Sequence, residues 1–168
     1  MDLFLLRHGL AGERDEIRYP DDSLRPLTAE GRRKMRRIAA GMRALDLEFD
    51  AIWSSPYLRA RQTAEIVADA FRARNRMGLV PELAPDGGAR RLLRRLRGKH
   101  PPGSQILLVG HEPYLGELAG LLISGRAGLP LALKKGGLCL LSLETPARGR
   151  GAALEWLLTP RQLLALGR

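Results

Sequence analysis

A histidine between an arginine and a glycine, Arg7-His8-Gly9, stands directly after the apolar run Leu3-Phe4-Leu5-Leu6. Packing explains it poorly, because an imidazole where a buried strand gives way to a loop has polar atoms to satisfy. Reaction with a phosphate explains it well. A second histidine, His111, follows the run Gln105-Ile106-Leu107-Leu108-Val109-Gly110, and Arg59 comes shortly after Ala51-Ile52-Trp53-Ser54-Ser55-Pro56. A phosphoryl group carries charge on oxygens arrayed about phosphorus, so a protein that transfers it must position it and stabilise its charge. Arg7 and Arg59 are permanently charged forks suited to those oxygens. An imidazole nitrogen is a competent nucleophile near neutral pH when the other nitrogen holds the proton. His8 in that role takes the phosphoryl group covalently and passes it to water. His111 would donate to a phosphate oxygen and stabilise the group in transfer.

A metal site is the sharpest rival, since histidine is a common ligand. Only three histidines and one cysteine occur, and no His-x-His, His-Glu-x-x-His or paired cysteine is present. Two arginines would also repel a cation, so neither a metal nor another cofactor is expected. His100 lies in Lys99-His100-Pro101-Pro102-Gly103-Ser104 and is expected to be a solvated turn residue. Cys139 sits in an apolar stretch, reads as a small buried hydrophobe and cannot form an intramolecular disulfide.

The elements that must hold these residues can be read from periodicity. Asp2 to Arg7, Ala51 to Ser54 and Gln105 to Gly110 read as buried strands, with a shorter one over Gly78 to Pro81. Two more are expected over Gly137 to Glu144 and Ala153 to Leu158. Leu10 to Pro26, rich in charge, Gly and Pro, reads as a loop. Thr28 is a good N-cap for a helix to about Leu45, with Met35, Ile38, Met42 and Leu45 on one face. Ser55-Pro56 can cap the next helix, whose stripe is Ala64, Val67, Ala68 and Phe71. Asp86 to Gly98 reads as a helix with Leu92, Leu93 and Leu96 inward, and Pro113 to Ile123 as one with Leu115, Leu118, Ala119 and Leu122 inward. Thr159-Pro160-Arg161-Gln162 is a capping box that opens a last short helix. Alternation of this kind implies an α/β fold, a mostly parallel sheet with helices on both faces in three layers. In such sheets the ligand site lies at the carboxyl ends of the strands. His8, His111 and Arg59 all map to that rim.

With 168 residues the chain is most simply one domain, large enough for a core without staples. No segment approaches the ~20 apolar residues of a membrane span. The first apolar run is too short, and too soon interrupted by Arg7, for a signal peptide, so the cytoplasm is the expected compartment. A net charge of +10 attracts polyanions in general. Its densest runs, Arg32-Arg33-Lys34-Met35-Arg36-Arg37 and Arg90-Arg91-Leu92-Leu93-Arg94-Arg95, are interrupted by apolar residues at helical spacing, as the wet side of an amphipathic helix would be. No zinc-finger spacing or aromatic RNA-binding strand accompanies them, so specific nucleic-acid binding is not expected.

Three blocks in order carry a closer resemblance: Leu6-Arg7-His8-Gly9, then Ser54-Ser55-Pro56-Tyr57-Leu58-Arg59-Ala60-Arg61-Gln62-Thr63-Ala64, then Val109-Gly110-His111-Glu112-Pro113. Together they resemble the histidine phosphatase superfamily, the phosphoglycerate-mutase-like proteins. With Arg25-Pro26-Leu27-Thr28-Ala29-Glu30-Gly31, Pro81-Glu82-Leu83-Ala84-Pro85 and the short length, the chain is similar to the SixA-type phosphohistidine phosphatases, from Met1 to about Arg161. The resemblance implies one domain over residues 1–168, a phosphoglycerate-mutase-like sandwich, His8 as the phosphorylated nucleophile, and Arg7, Arg59 and His111 as the phosphate pocket. It implies no metal or organic cofactor. Its implied partner is a histidine-phosphorylated protein, such as a phosphorelay or phosphotransfer component. Separately from the resemblance, the chain is expected to be a monomer without membrane attachment. The chain departs from the family at one place. Larger members carry a glutamate general acid where Pro85 stands here, and Glu82 and Asp86 flank that position; Glu82 is the remaining candidate acid. The chain also lacks room for the long insertions that cover the pocket in relatives acting on small molecules. A phosphatase of a small phosphate ester is the first alternative, and a basic module that binds nucleic acid or phosphoprotein without turnover is the alternative of another class.

Overall fold

Strand β1 (Asp2–Arg7) alternates two sets of apolar side chains across the sheet, Leu3 and Leu5 on one face and Phe4 and Leu6 on the other. All four are buried, so β1 must run through the middle of the sheet with a layer on each side. The computed structural model describes residues 1–126, 131–143 and 151–167, and β1 lies there between β4 (Gln105–Gly110) and β5 (Leu138–Ser142). With β2 (Ala51–Ser54), β3 (Met77–Leu79) and β6 (Ala153–Leu158) the sheet order is β3-β2-β4-β1-β5-β6. The pairings β2 with β3, β2 with β4 and β1 with β4 are parallel, and β5 pairs antiparallel with both β1 and β6.

Helices α1 (Ala29–Arg43), α2 (Leu58–Ala70) and α5 (Pro160–Leu166) cover one face, meeting Phe4, Leu6, Ile52, Leu107 and Val109. Helices α3 (Ala89–Lys99) and α4 (Tyr114–Ser124) cover the other, meeting Leu3, Leu5, Trp53, Ile106 and Leu108. The fold is the α/β sandwich that the alternation of elements implies. Thr28 caps α1 by accepting from Gly31 N–H at 2.9 Å, and the box of Thr159 and Gln162 opens α5. Arg33, Lys34, Arg36 and Arg37 are exposed around buried Met35 and Ile38, and Arg90, Arg91 and Arg94 around buried Leu92 and Leu93. Both basic runs are therefore the wet sides of amphipathic helices.

Several sequence expectations need correction. Helix α1 ends at Arg43 rather than Leu45. Helix α2 begins at Leu58, with Tyr57 at its N-cap, so neither Ser55 nor Pro56 starts it. The Ser55 hydroxyl is engaged by His111 instead, at 2.8 Å. Strand β3 lies one to two residues before the expected segment, because Pro81 opens a single 3-10 turn (Pro81–Leu83). Helix α3 starts at Ala89, after Gly87 N–H closes a turn on Ala84 carbonyl at 2.8 Å. Helix α4 is displaced by one residue, to Tyr114–Ser124, and β5 is shorter than expected, Glu144 lying outside the described residues. His100 is not simply solvated: it ends α3, and its ring packs on Trp53 at 5.0 Å between centroids. Cys139 is fully buried, and burial pushes its thiol up to about 12.

Candidate active site

The carboxyl ends of β1, β2 and β4 are tied together at their last hydrogen bonds. His8 N–H donates to Gly110 carbonyl at 3.0 Å, and Ser55 N–H to Val109 carbonyl at 2.9 Å. The sheet register thus brings His8, Ser55 and His111 to one place, although 103 residues separate the two histidines. Their rings lie 5.1 Å apart between centroids, and both are buried. The two sequence-predicted histidines meet.

His8 Nδ1 lies 2.7 Å from Gly9 carbonyl. A carbonyl only accepts, so Nδ1 carries the ring proton and the lone pair of Nε2 is left for chemistry. Burial is the main reason that His8 is pulled down from 6.5 to about 3; the Gly9 bond opposes it, and Arg59, Arg7 and Lys135 add to it. At neutral pH the imidazole is therefore uncharged. His111 is also lowered to about 3, by burial first and then by His8 and Arg59. The Ser55 hydroxyl accepts from Tyr57 N–H at 3.3 Å and meets His111 Nε2 at 2.8 Å. With Ser55 as donor to Nε2, the proton of His111 sits on Nδ1, a buried atom without a protein partner.

Both arginines are held by their terminal nitrogens. Arg59, only 4% exposed, donates through Nη1 to Asp22 carbonyl at 2.8 Å and through Nη2 to Asp22 Oδ2 at 2.9 Å. Burial lowers the Arg59 pKa and the charge of Asp22 opposes it, so it stays cationic at neutral pH. Asp22 is pushed up by burial, but its bonds to Arg25 and Arg59 outweigh that and hold it below the usual carboxylate range. Arg7 Nη1 donates to Leu133 carbonyl at 2.8 Å, while Leu133 N–H donates to Glu112 Oε1 at 2.8 Å. In each arginine this leaves Nε buried and without a partner among the described residues. Three buried donors beside His8, from Arg7, Arg59 and His111, thus await acceptors, and a phosphoryl group offers three oxygens. Gly9 N–H donates to Thr63 Oγ1, whose hydroxyl donates to Arg59 carbonyl at 2.7 Å, so the loop after β1 and the first turn of α2 are pinned together.

Glu82 stands apart from this set. It lies in the 3-10 turn after β3, where Arg95 Nε donates to its Oε1 at 3.0 Å. Burial pushes its carboxyl up, but its own backbone N–H, then Arg95 and Arg91, outweigh burial and hold it low. Asp86 is exposed. No three His, Cys, Asp or Glu side chains cluster as metal ligands among the described residues. Asp22, Thr63 and Glu112 are parts that sequence reasoning did not single out by role, and Ser55 it read only as a helix cap. Ser55, Thr63 and Glu112 sit inside the quoted motifs, but Asp22 lies in an aperiodic loop and had no signal.

The profile of the histidine phosphatase superfamily (branch 1) matches residues 3–84. An uncharacterized protein of Picosynechococcus sp. is 41% identical over 143 residues, which cover 82% of each chain. The phosphohistidine phosphatase SixA of Escherichia coli K12 is 28% identical over 164 residues, 97% of this chain and 96% of that one. A solved structure of the protein histidine phosphatase SixA complexed with tungstate superposes with a TM-score of 0.83 at 28% identity, over 97% of this chain and 99% of the other.

Proposed function

The chain belongs to the histidine phosphatase superfamily, and from that premise we propose that it hydrolyses phosphohistidine on proteins through a covalent phosphohistidine at His8. The observation that carries the reading is the buried pair His8 and His111, 5.1 Å apart between ring centroids, with Nδ1 of His8 on Gly9 carbonyl and buried donors of Arg7, Arg59 and His111 unpartnered among the described residues. Nε2 attacks phosphorus in line with the departing nitrogen of the substrate imidazole, forming one P–N bond as the other breaks. Arg7, Arg59 and His111 take the charge of the three oxygens during transfer. Water then attacks the phosphohistidine, its proton passes to solvent, and His8 leaves with inorganic phosphate as the product.

The substrate class follows from the absent acid. Expelling an alkoxide needs a proton donor, and a well-placed one contributes about 10² to 10⁴-fold. Pro85 stands where larger relatives carry theirs, and Glu82 is held as a carboxylate by its own backbone N–H and then Arg95. Imidazole, protonated by solvent, leaves without such help, so phosphohistidine is favoured over alkyl phosphates. The similarity to SixA proteins supports the same substrate. A cytoplasmic site of action belongs to this reading; no helix among the described residues is long and apolar enough to cross a membrane. Mixing with ³²P-phosphohistidine protein and quenching in denaturant tests it. An acid-labile, base-stable label is expected on the parent and none on His8→Ala, with turnover abolished; label persisting on another residue of His8→Ala refutes the assignment.

A further inference from the structure

Beside the phosphate pocket, a groove of about 700 Å³ is bounded by the first half of α1, the turn before β5 and the start of α5. Arg7 and Gly9 line it, so it is continuous with the pocket. Lys34, Lys134, Lys135 and Arg161 bring four more cations to its walls, and among the described residues no Asp or Glu lines it. All four are exposed, and none forms an ion pair among the described residues. Of the apolar lining residues, Leu10 keeps partial exposure, while Met35, Ile38 and Pro160 lie buried beneath the charged rim.

The fold holds these charges where they are. Gly137 N–H donates to Lys134 carbonyl at 2.7 Å, closing a tight turn in which Gly136 takes φ 80°, a value that favours glycine. Gly136 N–H in turn donates to Arg7 carbonyl at 3.0 Å, so Lys134 and Lys135 are carried directly by the active-site strand. The capping box fixes Arg161 at the start of α5. Like charges gathered on one groove repel one another. The phosphoryl chemistry makes no use of Lys34, Lys134 or Arg161.

We propose that this groove docks an acidic segment of the phosphorylated substrate protein, one carrying carboxylates within a few residues of its phosphohistidine. The inference rests on the phosphohistidine reading above and extends it to the substrate's surroundings. A second phosphate of a small molecule fits less well. Its oxygens need convergent, fixed donors like those of the phosphate pocket, whereas these cations are exposed and rooted on three separate elements. Single-stranded nucleic acid would need aromatic platforms for its bases, and none lines the groove. A segment carrying several carboxylates matches the four exposed cations, and opposite charge steers and registers such a partner.

Two phosphohistidine peptides differing only in acidic or neutral flanks, with 4-nitrophenyl phosphate as a flankless probe, test this on the full chain. The parent should favour the acidic peptide about tenfold in kcat/KM, chiefly through KM. The preference should shrink between about 0.05 M and about 0.5 M salt. It should vanish in Lys34→Glu/Lys134→Glu/Arg161→Glu, with 4-nitrophenyl phosphate turnover unchanged. If that variant proves unstable, Arg161→Gln and Lys34→Gln read the same loss in smaller steps. Equal turnover of both peptides by the parent overturns the groove proposal but leaves the phosphohistidine reading standing. No turnover of either peptide, with 4-nitrophenyl phosphate still hydrolysed, rejects that reading instead. In that event fluorescence anisotropy of an unphosphorylated oligoglutamate peptide judges the groove alone: salt-sensitive binding lost in the variant supports it, and no binding overturns it. Stronger competition by single-stranded RNA than by oligoglutamate overturns it too.

Discussion

Arg59 and Arg7 show how a charged side chain is aimed rather than merely supplied. Each gives terminal nitrogens to protein oxygens, Asp22 for one and Leu133 for the other, and this fixes the guanidinium plane while leaving Nε buried without a partner among the described residues. A lysine has the charge but not the fork, so Arg59→Lys should lower kcat/KM by about 10²-fold, nearly as much as Arg59→Ala. Recovery of most activity in the lysine variant would mean that charge alone matters. Ser55 does for His111 what Gly9 does for His8, setting which nitrogen holds the proton. Ser55→Ala should cost about tenfold in kcat/KM. It should also move the ¹⁵N shifts of the His111 ring toward the other tautomer, a change that loss of packing would not produce. Unchanged ring shifts would deny Ser55 this role. At Glu82 the expectation is a negative one. Since its own backbone N–H and then Arg95 keep it ionised against burial, Glu82→Gln should leave the steep dependence of rate on leaving-group pKa as it is in the parent. If the substitution turns a flat dependence steep, Glu82 is the acid and a small ester is the better substrate.

At the scale of elements, the site depends on how closely α1 approaches the loop that follows β1. A Cβ on Gly31 would lie 2.0 Å from Leu10 carbonyl, which is backbone and cannot swing aside. That same carbonyl accepts from Thr28 N–H at 3.0 Å, and Gly9, one residue back, orients His8. Gly31→Ala must therefore push the loop away from α1 and misplace the imidazole. Activity should fall by about tenfold or more, since misplacement of about 1 Å can cost 10²-fold, while stability falls by about 1–3 kcal/mol. Thr159→Ala is the contrasting change: it removes the α5 cap, should cost about 1 kcal/mol in urea unfolding, and should leave kcat unaltered. Equal effects of the two on activity would break the argued link between α1 and His8. These elements were legible in unequal degree. Strands β1, β2, β4 and β6 show in the sequence to the residue, because continuous or bounded apolar runs leave few alternatives. The starts of α2 and α3 do not: at α2 a long-range partner takes Ser55, which turns to His111, and at α3 a local turn from Gly87 N–H to Ala84 carbonyl delays the helix. The site shows the same division. His8 and His111 stand at strand ends and Arg59 in the first turn of α2 just past a third, and all can be read there, whereas the pairing of Arg59 with Asp22 across 37 residues has no local pattern.

For the whole molecule, the same burial that keeps His8 and His111 neutral should make the protein sensitive to acid. In the unfolded chain each histidine titrates near 6.5; in the fold both are lowered to about 3, chiefly by burial. Between those values the unfolded state binds protons that the folded state does not, so stability falls as pH drops through 6.5 and levels off only near 3. Above 6.5 both states are unprotonated and the two histidines contribute no pH dependence. The slope should approach about 1.4 kcal/mol per pH unit for each histidine. His100, lowered by its burial, acts in the same direction. The depressed carboxyls of Asp22 and Glu82 also lose stability on acidification, but only nearer their unfolded values around 4, so the histidines are read above about pH 4.5. Urea midpoints should accordingly decline from pH 6.5 to pH 5 in the parent and less steeply in His8→Asn. A midpoint flat or rising on acidification over that range would contradict the neutral, buried assignment. An oxyanion should change the picture, because it neutralises Arg7 and Arg59 and gives any imidazolium beside them a counter-charge. Tungstate or inorganic phosphate at about a hundredfold its Kd should add about 2.7 kcal/mol and flatten the acid limb, since the bound anion raises the histidine pKa values toward 6.5. That protection should disappear in Arg59→Ala, whose histidines no longer share the anion with a buried guanidinium. Undiminished protection in Arg59→Ala would show the anion binding somewhere other than this pocket.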